Sequence, residues 1–250
     1  MTSVSLHNVT VSYRRRPAIH HVSAEFPAGQ ASAIFGPNGA GKSTILKTLM
    51  GFLQPETGEV ELAGCRLTDI AYMPQAAQID RSLPVTVLDT VLTGCWRETG
   101  VLGGVTRAGL ARARQALADV GLFGFEARAI SELSGGQFQR VLFARILMQD
   151  ARLILLDEPF ASVDAKTTFD LLAFVRRWEQ EGRTVIAVLH DYEQVRAWFG
   201  RTLLLAREVI ACGATEDVLT ESNLARANRI ATHWQAHPPV CDVPAGEEQA

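Results

Sequence analysis

Residues Gly36-Pro-Asn-Gly-Ala-Gly-Lys-Ser43 constrain what this chain can fold into more than any other feature of it. The run fits G-x-x-x-x-G-K-[ST], a loop that turns backbone N–H groups inward around a phosphate. It stands between an apolar strand, Ala31 to Phe35, and a helix expected over Ser43 to Met50. That helix carries Ile45, Leu46, Leu49 and Met50 on one face, and Gly51 is a natural stop. Gly36, Gly39 and Gly41 give the loop its freedom, while Pro37, Asn38 and Ala40 complete it. The helix N-terminus at Ser43 and Thr44 adds a positive dipole. Lys42 is expected against the outer phosphates of a nucleotide, and the Ser43 hydroxyl on Mg²⁺.

A second segment has matching chemistry. Leu153-Ile-Leu-Leu-Asp157-Glu158 is an apolar strand ending in two carboxylates, where an α/β sheet presents its ligand. Asp157 is suited to hold Mg²⁺ and Glu158 to polarise an attacking water. Further strands are expected at Val4–Tyr13, Glu59–Leu62, Val185–Leu189 and Thr202–Leu205, with a bulge where the alternation slips between Leu6 and Val9. Strands separated by helices predict an α/β fold with a mainly parallel sheet. Residues 80–150 interrupt the alternation. Their Ala-, Arg-, Leu- and Gln-rich stretch from Leu110 to Val120 marks an inserted helical lobe between core segments 1–79 and 151–220. Residues 221–250 are expected to be an extension, loose from about Ala236 on, where prolines and charges accumulate.

Composition excludes several classes. The chain has 250 residues, is 47% hydrophobic and carries a formal net charge of -3, which argues against nucleic acid as its main partner. No run approaches the roughly 18 apolar residues that span a membrane. Met1 to Tyr13 lacks the basic and apolar regions of a signal peptide. Cys65, Cys95, Cys212 and Cys241 show no paired spacing, so a reduced, cytoplasmic protein is expected.

Leu133-Ser134-Gly135-Gly136-Gln137 narrows the reading from nucleotide hydrolases in general. A Ser hydroxyl and glycine amides at a helix start make a second anion site. With this pentapeptide, the chain resembles the ABC ATPase family, whose signature is LSGGQ, and the likeness spans approximately Val4 to Leu219. The resemblance implies a P-loop NTPase core with an N-terminal antiparallel part, and ATP with Mg²⁺ as its ligands. It also implies a homodimer in which Ser134–Gln137 close on the γ-phosphate held by the partner subunit. It further assigns Tyr13 to adenine stacking, Gln75 to sensing Mg²⁺ and the attacking water, and Asp164 to the loop that crosses to the other subunit. His190, after the Val185–Leu189 strand, resembles the switch histidine at the γ-phosphate.

One compact cassette with no sustained heptads resembles the ATPase subunit of a prokaryotic importer. The resemblance implies separate integral-membrane permease subunits, docked through the helical lobe at the cytoplasmic face of the plasma membrane. The segment Asp80 to Val91 and Glu158-Pro-Phe-Ala-Ser-Val-Asp164 look like those of zinc- and manganese-type importers. Kinship therefore favours zinc over manganese or iron, supplied by a metal-binding solute-binding protein; Gly94-Cys95-Trp96 departs from that pattern in lacking a basic residue. A soluble ABC-type switch in regulation or repair is the alternative. The apolar run Leu83 to Leu92, with Val85 and Val87, is expected to form the permease groove. His233, His237 and Cys241 could hold a metal, but Pro238 and Pro239 follow at once and a solvated tail is the simpler reading. Arg14-Arg15-Arg16 reads as a solvated turn.

Overall fold

Strand β3 (Ala31–Phe35) lies at the centre of the molecule, bonded in parallel to β7 (Thr184–Val188) on one side and β8 (Arg201–Ala206) on the other. The computed structural model describes residues 2–14, 16–100, 103–161 and 163–236. The sheet extends through β6 (Leu153–Asp157) to β5 (Ile70–Met73), and ends at β9 (Glu208–Ala214), in the order β5-β6-β7-β3-β8-β9. Only β9 runs antiparallel. A second, three-stranded sheet has β1 (Ser3–Tyr13) between β2 (Arg16–Phe26) and β4 (Thr57–Ala63), all antiparallel. The expected slip of β1 is there: its register with β2 shifts between Leu6 and Val9.

The period-2 alternation of side chains divides the parallel sheet's two faces. Ile34, Leu153, Leu155, Ile186, Val188, Leu203 and Leu205 point toward the antiparallel sheet and α1 (Lys42–Leu49), making one core with Val4, Leu6, Ile45 and Leu46. Ala33, Ile154, Leu156, Val185, Ala187 and Leu204 point the other way. They share a second core with the lobe and with α6 (Ala165–Gln180), through Leu171, Leu172, Val175 and Trp178.

The lobe comprises α2 (Val87–Leu92), the short α3 (Trp96–Thr99), α4 (Arg107–Asp119) and α5 (Gly135–Gln149). Helix α5 joins lobe to core, burying Phe138, Val141, Leu142, Phe143, Ala144, Ile146 and Met148. Here the expected docking run is corrected. Val87 and Val91 are wholly buried in the lobe's own core, and of the run's large apolar side chains only Leu83, at its edge, is strongly exposed. Helical periodicity turns Val87 and Val91, four apart, inward together.

The chain closes with α7 (Tyr192–Trp198), α8 (Thr215–Val218) and α9 (Glu221–Ala236). Helix α9 packs on β8 and β9, burying Ala227 and Trp234. The tail from 237 on, with His237 and Cys241, lies outside the described residues, as do Arg15 and Ser162. Among the described residues, no helix is long and apolar enough to cross a membrane, and no cluster of metal-ligating side chains occurs.

Candidate active site

The glycine-rich loop leaves β3 and enters α1 at Gly41, whose φ of 92° lies in the left-handed region. A Cβ at Gly41 would collide with the Ala18 carbonyl and the Ile19 side chain, so the loop can lie this close to β2 only with glycine there. The first amides of α1 have no side-chain cap, which leaves donors for an anion. Lys42 is buried and folded back on the loop, its Nζ donating to the carbonyls of Gly36 at 2.7 Å and Pro37 at 3.0 Å. Burial pulls its ammonium down to about 8, against the Glu158 and Asp157 carboxylates that favour the charged form.

Ser43 Oγ donates to Asp157 Oδ1 at 2.9 Å, which brings the two motifs together across 114 residues of chain. Asp157 is fully buried, and its Oδ2 has no hydrogen-bond partner. Desolvation raises its pKa, Ser43 opposes that shift, and nearby Glu158 adds to it. A buried carboxylate oxygen without a donor, beside a serine hydroxyl, is a hard oxygen set suited to a divalent cation. The residues present therefore fit Mg²⁺.

Glu158 follows β6 with φ of 51°, a left-handed conformation unusual for a side chain of its size. Its N–H bonds the Val188 carbonyl at 3.2 Å, which fixes the turn to β7. Gln75 Nε2 donates to Glu158 Oε2 at 2.6 Å, and His190 Nε2 lies 2.5 Å from Glu158 Oε1. Gln75 Oε1 in turn accepts from Gln78 at 3.2 Å. Gln75, expected among the Mg²⁺ ligands, thus bonds the adjacent carboxylate. One cavity of about 540 Å³ is lined by Tyr13, Asn38 to Thr44, Glu158 and His190. A second adjoins it, lined by Gly36, Pro37, Gln75, Glu158 and His190.

Ser134 to Gln137 line neither cavity. Ser134 caps α5, accepting from Gln137 N while its own N–H donates to Gln137 Oε1, a reciprocal capping box. Ser134 and Gly135 are exposed, so this helix N-terminus faces outward. Asp164 is also a helix cap: its carboxylate accepts from Thr167 N at 2.9 Å and Thr167 Oγ1 at 2.8 Å. Those bonds hold its pKa below the usual carboxylate range.

Two residues were hidden from the motif reading. Arg81 Nε and Nη2 donate to the Ile130 carbonyl, and Nη2 also to that of Leu133, while the guanidinium lies 5.0 Å from the Phe138 ring centroid. Gln139 is wholly buried and donates to the carbonyl of Pro159. A polar side chain on the apolar face of α5 is the signal that could have found it.

The ABC transporter family model matches residues 19–161, more than half of the chain. The chain belongs to the ABC transporter family. It is 43% identical over 232 residues to the zinc transport system ATP-binding protein TroB of Treponema pallidum, covering 90% of this chain and 86% of that one. It is 40% identical over 230 residues to the manganese transport system ATP-binding protein MntB of Bacillus subtilis, covering 90% and 92%. Among solved structures, it matches an inward-facing putative metal-chelate type ABC transporter with a TM-score of 0.81 at 29% identity, over 92% of this chain and 90% of that one. The dimeric ATP-binding cassette MJ0796 bound to ADP and phosphate matches with a TM-score of 0.75 at 28% identity, over 85% and 98%. The two sheets and helical lobe are those of an ABC ATPase, and this chain is such an ATPase.

Proposed function

We propose that this ABC ATPase powers uptake of a divalent transition metal, zinc ahead of manganese or iron. The observation that carries the reading is its 43% identity, along 90% of its length, to a zinc transport system ATP-binding protein. The manganese relative follows at 40%, so the margin for zinc is modest. Metal uptake in a deletion strain, measured with zinc, manganese and iron in parallel, tests it. Loss of zinc uptake alone is the expected result. Normal uptake of all three would return the chain to the class of soluble ABC switches.

In this reading ATP lies along the Gly36–Thr44 loop. The amides of α1 and the Lys42 ammonium bind the outer phosphates, and Tyr13 stacks on the adenine. Lys42 exchanges its two carbonyl partners for phosphate oxygens, and their negative charge restores the proton affinity that burial lowers. Mg²⁺, held by Ser43 and Asp157, would neutralise charge on the phosphates. Glu158 accepts a proton from the attacking water. Gln75 and His190 hold its two oxygens from opposite sides, which aims the carboxylate and limits the rotamers open to it.

The site is completed by a second copy of the chain, whose Ser134 to Gln137 bind the γ-phosphate. The outward placement of the α5 N-terminus supports this arrangement. Asp164 then lies at the subunit junction. The paired ATPase subunits sit at the cytoplasmic face of the plasma membrane, docked on integral-membrane permease subunits that receive metal from a solute-binding protein. Their docking groove is lined by Phe52, Tyr72, Pro74, Ile79, Thr90 and Arg145, between core and lobe. Phe52 at 63% exposure is a large apolar ring with no cover of its own, which suits a partner helix with an apolar face.

A further inference from the structure

One wall of the first cavity is made by residues that no motif of the chain accounts for. Arg207, from the turn between β8 and β9, and Trp234, near the end of α9, line it together with Tyr13, Arg16 and Pro17. Neither Arg207 nor Trp234 lines the adjoining cavity, where Gln75, Glu158 and His190 gather. Arg207 bonds the carbonyl of Pro17, next to Arg16, which is the β2 partner of Tyr13, so the pair lies on the tyrosine side of the cavity.

The geometry of Arg207 is built rather than incidental. Its backbone is left-handed, with φ of 64°, and is held on both sides. Its N–H donates to the Ala40 carbonyl of the phosphate loop at 2.8 Å, and its carbonyl accepts from His20 N at 2.8 Å. Its Nη1 donates to the Pro17 carbonyl at 2.5 Å. The guanidinium lies 5.3 Å from the Trp234 ring centroid, within cation–π range. Trp234 is only 6% exposed, and the His20 ring meets it edge-on at 5.9 Å. A guanidinium has five N–H donors, and one is spent on Pro17. The indole and Pro17 thus hold in place a cation that borders the cavity and has donors to spare.

We propose that Arg207 is a contact for the base–ribose end of the nucleotide, and that Trp234 positions it. The C-terminal helix α9 is then part of the ATP site, and its docking sets nucleotide affinity. This rests on reading Gly36–Ser43 as the phosphate site, because the phosphates claim Lys42 and leave the Tyr13 end for base and ribose. Arg207 is half-buried and joins the loop through its backbone, so its side chain can be removed while the Ala40 bond stays.

The experiment compares Arg207→Ala, Trp234→Ala and Trp234→Phe with the wild-type protein, titrating ATP, ADP and inorganic tripolyphosphate. Arg207→Ala and Trp234→Ala should weaken ATP and ADP about tenfold and raise KM by a similar factor, with kcat at saturation within about twofold. Tripolyphosphate, which has no base or ribose, should bind all variants alike. Trp234→Phe keeps an aromatic face and should restore most of the affinity. Equal loss for tripolyphosphate and ADP would reassign the pair to general support of the loop and overturn the proposal. So would unchanged ADP binding in Arg207→Ala, which stands independently should Trp234→Ala fail to fold. Lys42→Ala is the control for the underlying reading: if it binds ATP and tripolyphosphate normally, the phosphate site itself is misplaced.

Discussion

Gln139 Nε2 donates to the carbonyl of Pro159 at 2.6 Å and reaches that of Glu158 at 3.4 Å, which ties helix α5 to the loop that carries the Glu158 carboxylate. Helix α5 begins at the signature serine, so any movement of that helix on docking of a second subunit reaches Glu158 through this side chain. Burial strengthens the link, because a carbonyl stripped of its donor in the interior costs about 1–3 kcal/mol. Gln139→Leu should therefore lower thermal stability measurably. It should also reduce ATP turnover more than ATP binding, compared by calorimetric titration and phosphate release. A variant with normal turnover would remove this link from the mechanism.

Glu158→Gln should leave ATP binding intact and slow hydrolysis by about 10² or more, because the amide keeps the shape and loses the base. With ATP and Mg²⁺ the variant should elute from a sizing column enriched in dimer. His190→Ala leaves Glu158 Oε1 without its 2.5 Å partner, and turnover should fall while thermal stability stays near wild type. A matching loss of stability would instead make His190 a structural support.

Mixed subunits test whether the site is shared. Lys42→Ala damages the phosphate loop and Ser134→Arg the outward-facing cap of α5. If each nucleotide lies between the loop of one subunit and the cap of the other, a mixture restores one intact site per dimer. ATPase activity and nucleotide retention of the mixture should exceed those of either variant alone. A mixture no better than its components would place both halves of the site elsewhere.

Much of this molecule was legible because its chemistry is local. The phosphate loop, the Asp157–Glu158 strand end and the strand before His190 each combine a hydrophobic period with a polar terminus. Strands β3, β6, β7 and β8 consequently lie within a residue or two of expectation. Strand β5 escaped, having only four residues and one partner, and so did β2, whose hairpin with β1 has Arg14 rather than a glycine in its turn. Helix α9 was hidden for a different reason. Its apolar anchors, Leu224, Ala227 and Trp234, are sparse along a mainly polar segment, and it is placed by packing on β8 and β9. Arg81, Arg207 and Gln139 act through backbone carbonyls distant in sequence, which no spacing rule reveals.

The groove between core and lobe supplies the last test, and it separates a docking surface from the lobe's interior. Val87 is fully buried, so Val87→Asp would strand a carboxylate among Val91, Leu117 and their neighbours, and the isolated subunit should lose its fold. The Phe52 and Tyr72 rings meet in a T-shaped pair, 6.1 Å between centroids, and Phe52 is largely open to solvent. A charge there remains hydrated, so Phe52→Asp should keep the fold, the thermal midpoint within a few degrees and basal ATPase activity. The same charge facing an apolar permease helix would lose its water, at a cost of roughly 1–3 kcal/mol in mutational terms, or about 5- to 150-fold in association. Co-purification with the permease and metal uptake in cells should therefore both fail in Phe52→Asp while the isolated subunit hydrolyses ATP normally. Retained association with normal uptake would show that the permease is held on another face. Loss of fold in the isolated Phe52→Asp subunit would mean that the ring supports Tyr72 and the β5 edge instead.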